Sequence, residues 1–217
     1  VDVYDSCLTG STALNQFDIA YGNPRGYYNS DSYDDTYDPS KSNYYQFRNI
    51  LLPRDSTAFE FAGTVTGSGE IFVIAFKRNR IKQELDPGNW ELIIGSGSNS
   101  ITMIDDSTKT WTRPSARTGV GTAYYVTTGS IVDGPSSSSA TPYGIAYPTP
   151  GIIVLNTSAI CTPTSGSAGS TRDITKTFLE YIQSGSSFKA RGSEVISSTN
   201  YFTRMYNSEF NYSNNPT

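Results

Sequence analysis

The stretch that most constrains the fold runs over residues 71–94. It opens with six apolar residues, Ile71-Phe72-Val73-Ile74-Ala75-Phe76. An unbroken run of strand length, rich in β-branched and aromatic residues, reads as a strand buried on both faces. The basic segment Lys77-Arg78-Asn79-Arg80-Ile81-Lys82 follows and reads as an exposed turn, too short and too charged for a second core element. Asp86-Pro87-Gly88-Asn89 then predicts a tight turn, because proline fixes φ and glycine supplies the φ > 0 position. A second apolar strand leaves from Trp90. Strand, basic turn and strand make a framework rather than a catalytic constellation.

Bulk properties narrow the function classes. At 217 residues the chain reads as a single β-rich domain over 1–217, long enough to bury a core. Its net charge of -4 argues against general nucleic-acid binding, which needs a basic footprint. The exception is the cluster Lys77, Arg78, Arg80 and Lys82, read as a solvated turn or as the contact for an acidic partner chain. Two distant cysteines, Cys7 and Cys161, do not make a zinc site alone and read as reduced, partly buried thiols. No segment approaches the roughly 18 apolar residues of a membrane span. The absence of an initiator methionine and the closing Asn214-Asn215-Pro216-Thr217 suggest an excerpt of a longer polypeptide.

Taken in order, the periodicities predict a strand over 14–21 and a tyrosine-rich loop over 22–38. The acidic residues of that loop lack calcium-loop spacing. A helix follows, capped by Asp38 with Pro39 at its first position, striped by Tyr44, Phe47 and Leu51 and ended by Pro53. A hairpin joins 59–65 to 70–76, and further strands cover 101–104, 122–132, 145–147 and 152–155. A second helix spans 172–183, and strands over 188–196 and 200–206 close the chain. The sum is a β-rich α+β fold, an antiparallel or mixed sheet or sandwich with about two packed helices.

The chain has no histidine, which removes Ser-His-Asp and Cys-His mechanisms. No phosphate loop or dinucleotide fingerprint is present, so no cofactor or metal is expected. Asp105 and Asp106 are adjacent, so on a strand their side chains face opposite ways and make no glycosidase dyad. A distant pair such as Glu70 with Glu91 needs the fold to assemble it. The expectation is a non-enzyme with no catalytic residues. The sequons at Asn156 and Asn211 carry little weight.

Several strings resemble structural proteins of tailed bacteriophages, above all T4-like myoviruses of cyanobacteria and other marine hosts. They lie at 45–52 (YQFRNILL), 85–90 (LDPGNW), 104–107 (IDDS), 143–148 (YGIAYP), 151–156 (GIIVLN), 197–202 (SSTNYF) and 210–216 (FNYSNNP). The resemblance implies a virion component of the tail or baseplate, made in the bacterial host cytoplasm and assembled in many copies with other virion proteins. Relatives of this kind continue past the final Asn-Asn-Pro. No catalytic residue is transferred by it. Low charge, many tyrosines and Ser/Gly-rich loops independently suit a surface that buries area against protein neighbours. The alternatives are a receptor module binding a host-surface glycan, motivated by the Tyr/Asn-rich loop over 22–38, and a carboxylate-based glycan-degrading enzyme.

Overall fold

The computed structural model describes residues 14–26, 38–61, 69–95, 100–109, 112–136, 142–160, 178, 182 and 187–206, together with the backbone of 2–4. The chain is a β-rich α+β fold built on one antiparallel sheet. Its strands are β1 (Asp2–Tyr4), β2 (Asn15–Gly22), β3 (Ile71–Phe76), β4 (Glu84–Leu85), β5 (Glu91–Ile94) and β6 (Ile101–Asp105). The series continues with β7 (Tyr124–Ser130), β8 (Gly134–Pro135), β9 (Gly144–Tyr147), β10 (Ile152–Asn156), β11 (Ser187–Lys189) and β12 (Gly192–Ser193). The main sheet runs β1-β2-β3-β10-β9-β7-β6-β5-β11, with β8 beside β7, and β4 pairs separately with β12. Helix α1 is Pro39–Leu51 and helix α2 is Arg78–Ile81. Residues 157–160 are helical, as are Phe178 and Ile182 within the helix predicted over 172–183.

The apolar run at 71–76 becomes β3, near the centre of the sheet between β2 and β10. Its alternate residues feed two separate cores. Phe72 and Ile74 face one side with Ile19, Met103, Val126, Ile153, Leu155, Trp90 and Phe178. Ile71 and Val73 face the other with Tyr44, Leu51, Ile145, Tyr147 and Val154. Register keeps the two sets apart: Ile153 lies opposite Ile74 and Ala146, while Val154 lies opposite Val73 and Ile145. Each fully buried large side chain contributes about 2 kcal/mol of transfer free energy.

The first core is enclosed because the sheet curls. Phe17 on β2 and Phe188 on β11 belong to strands near opposite ends of the strand order, yet their rings lie 5.6 Å apart. Phe178 fills this inner side, stacked on Phe72 at 3.9 Å. The outer side is covered by α1. Asp38 caps that helix by accepting the Ser40 N–H at 2.7 Å, with Pro39 in the first turn, as the sequence predicts. At its other end Arg117 donates to the Leu51 and Asn49 carbonyls at 2.8 and 2.7 Å. The 86–89 turn also forms as expected: Asn89 N–H reaches the Asp86 carbonyl at 3.2 Å and Gly88 has φ +78°.

Three expectations fail. Residues 59–61 form no strand, residues 62–68 lie outside the described residues, and β3 is paired on both edges, by β2 and β10, which leaves no edge for the expected hairpin partner. Phe59 instead packs on α1, edge-on to Tyr44 at 5.7 Å, and its N–H donates to the Tyr44 hydroxyl. Residues 200–206 are not a strand but extended, exposed chain, and only 187–189 and 192–193 of the segment 188–196 and its preceding residue are paired. The basic segment is not a simple turn: it winds into α2 because Ile81 is buried against the inner core.

Candidate assembly interface

Four cations were read from the sequence as partner contacts, and α2 places them. Lys77 pairs with Asp18 of β2. Arg78 donates to the Thr149 carbonyl in the β9–β10 turn at 2.6 Å. Lys82 pairs with Glu194 at 2.9 Å. Arg80 has its Nε buried without a hydrogen-bond partner and lines a cavity beneath α2. Three of the four therefore meet partners inside the chain, and two of those contacts secure the sheet rather than a single surface patch.

The contact at Lys82 belongs to a longer seam that fixes where the C-terminal segment leaves the body. Asp86 N–H donates to the Arg191 carbonyl at 2.8 Å, and β12 pairs with β4. The Ser193 hydroxyl reaches Glu84 at 3.3 Å and the Val195 N–H reaches Gln83 at 2.9 Å. Two backbone features make the seam close. Lys82 adopts φ +58°, a conformation rarely taken by a residue with a side chain. Gly192 lies so near α2 that a Cβ there would meet the Ile81 carbonyl oxygen at 2.6 Å, which only glycine tolerates.

Beyond this root the chain becomes an arm. Every residue from 194 to 206 is exposed and none is in a helix or strand. The arm carries Val195, Ile196, Tyr201, Phe202, Met205 and Tyr206, with Tyr201 87% and Phe202 94% exposed. Arg204 lies over the Tyr206 ring at 5.1 Å. Such a cluster of exposed large apolar side chains makes the arm the candidate interaction surface. The sequence carries a signal for this that a strand reading misses. The apolar residues come as adjacent pairs, 195/196, 201/202 and 205/206, so no single face of a strand collects them.

The carboxylates weighed as catalytic have structural partners. Asp105 is fully buried and accepts from Gly88 N–H at 2.9 Å and Ser107 N–H at 2.9 Å, tying the 86–89 turn to the end of β6. Asp106 is also fully buried but turns the other way, accepting from Tyr125 N–H and the Arg113 guanidinium, both at 2.9 Å. Burial raises the Asp106 carboxyl above its ordinary range, with the Asp105 charge adding to the effect and Arg113 opposing it. Glu70 accepts from Asn23 at 3.3 Å. Glu91 accepts from Ile131 N–H at 3.1 Å and Lys189 at 3.4 Å. Strands β10, β9, β7 and β6 separate the strands that Glu70 and Glu91 adjoin, so they form no pair across neighbouring strands.

Burial likewise raises the hydroxyls of Tyr44, Tyr125 and Tyr147, which serve as packing groups. Among the described residues no cluster of three potential metal ligands occurs. No helix among them is long and apolar enough to cross a membrane. The sequon at 156–158 is inaccessible, with Asn156 3% and Thr157 0% exposed. Cys7, Cys161, Asn211 and residues 27–37 of the tyrosine-rich loop lie outside the described residues. No family model, curated protein or solved structure matches the chain.

Proposed function

We propose that the chain is a non-enzymatic structural subunit that acts by assembly with protein neighbours, as a tail or baseplate component of a tailed-phage particle. The arm over 194–206 carries the reading. Its root is held by backbone pairing and the Lys82–Glu194 ion pair, while Val195, Ile196, Tyr201 and Phe202 stand largely exposed. An arm of this kind gains by burial on a neighbour, at about 25 cal/mol for each Å² of apolar surface removed from water. The buried carboxylates support the same reading, because Asp105, Asp106 and Glu91 accept from backbone N–H groups and Glu70 from the Asn23 side chain. The strings that resemble phage structural proteins supply the particle context.

The test is a variant with Tyr201, Phe202 and Met205 all changed to Ser. It is expected to keep the wild-type thermal midpoint, since the three side chains touch no core. It is also expected to be lost from purified particles, in which mass spectrometry is expected to find the wild-type chain at fixed copy number. A wild-type protein found free and monomeric in lysates and absent from particles overturns the proposal.

A further inference from the structure

The curled sheet borders a half-open cavity of about 520 Å³ beside the packed inner core. Protein interiors hold few voids larger than a water molecule, whereas small-molecule sites span roughly 300–1,000 Å³. Much of the wall is apolar, formed by Phe17, Ile74, Ile94, Phe178 and Phe188, with Gln16 and Ser187 among its polar members. Two guanidinium side chains, Arg80 and Arg191, line the same space. Arg80 has its Nε buried without a partner, and among the described residues neither arginine makes an ion pair. A purely apolar occupant leaves both guanidinium groups without a counter-charge, and an inorganic anion leaves the aromatic walls uncovered.

We propose that the cavity binds an amphipathic anion, a single acyl-type chain ending in a carboxylate. The chain lies against the phenylalanine and isoleucine walls, and the carboxylate accepts from Arg80 and Arg191, the pairing that planar guanidinium groups favour. The site lies in the body of the fold and does not depend on the assembly reading or on the arm.

Calorimetric titration of the full chain with decanoate and with 1-decanol tests it. The wild type is expected to bind decanoate at one site, at least about tenfold more tightly than the alcohol, the difference a charge-assisted hydrogen bond supplies. The Arg80→Leu, Arg191→Leu double variant is expected to bind the two alike. Ile182→Trp, placed at the cavity wall, is expected to weaken both. Circular dichroism of each variant confirms the fold. Absence of decanoate binding, equal wild-type affinity for acid and alcohol, or binding undisturbed by Ile182→Trp overturns the proposal. Binding abolished by Tyr201→Ser and Phe202→Ser instead assigns the amphiphile to the arm and overturns it too.

Discussion

Asp105 and Asp106 show how two adjacent buried acids serve a fold without forming a catalytic pair. The pleat sends them to opposite sides, and each finds a different set of backbone donors. They differ in how well they are satisfied: Asp106 keeps one buried oxygen, Oδ2, without a hydrogen-bond partner. Desolvation therefore outweighs the attraction of Arg113 and raises its carboxyl. The consequence for stability has a definite sign. With a raised folded-state value, the folded chain binds the proton more readily than the unfolded chain does. The resulting stabilisation is full below the ordinary carboxylate range and is lost as pH rises through the folded-state value. Urea unfolding should show wild type gaining stability relative to Asp106→Asn as pH falls from neutral towards the ordinary carboxylate range. A difference that shrinks on acidification would mean that Arg113 and the Tyr125 N–H control this carboxyl.

At the scale of elements, legibility followed locality. Helix α1 was readable because its signals are adjacent in sequence: Asp38 before Pro39, an apolar stripe, then Pro53. Asp38→Ala should cost about 1–2 kcal/mol by chemical denaturation, since the cap is itself buried, and Asp38→Ser should recover most of the loss. The 86–89 turn and the strands β9 and β10 were readable for the same reason, and β3 because a run apolar on both faces has few places to go. The basic segment was misread because Ile81, one apolar residue among cations, is enough to bury one side of a helical turn. The arm was misread because apolar content alone does not distinguish paired from unpaired extended chain. Its seam depends on Gly192 approaching Ile81, residues far apart in sequence. The curl of the sheet, and with it the cavity, depends on Phe17 meeting Phe188 and left no local trace.

For the molecule as a whole, the decisive feature is that two cores share one set of strands. Tyr44 and Leu51 belong to the outer core and Trp90 and Phe178 to the inner one, yet β3, β9 and β10 contribute alternate residues to both. Neither core can loosen alone without exposing the backs of strands that the other requires. The chain should therefore unfold as a unit, although its hydrophobic side chains fall into two groups. Tyr44→Ala offers a test, because Tyr44 packs only in the outer core and its hydroxyl accepts from Phe59 N–H. Truncating a buried aromatic of this size costs about 3–5 kcal/mol. In a Trp111→Phe background, Trp90 alone reports fluorescence from the inner core, while far-ultraviolet circular dichroism reports the sheet. With a shared sheet, Tyr44→Ala moves both transitions to the same lower denaturant midpoint. If the fluorescence transition stayed at the wild-type midpoint while the dichroism fell, the inner core would stand without α1, and the two layers would be separate cooperative units.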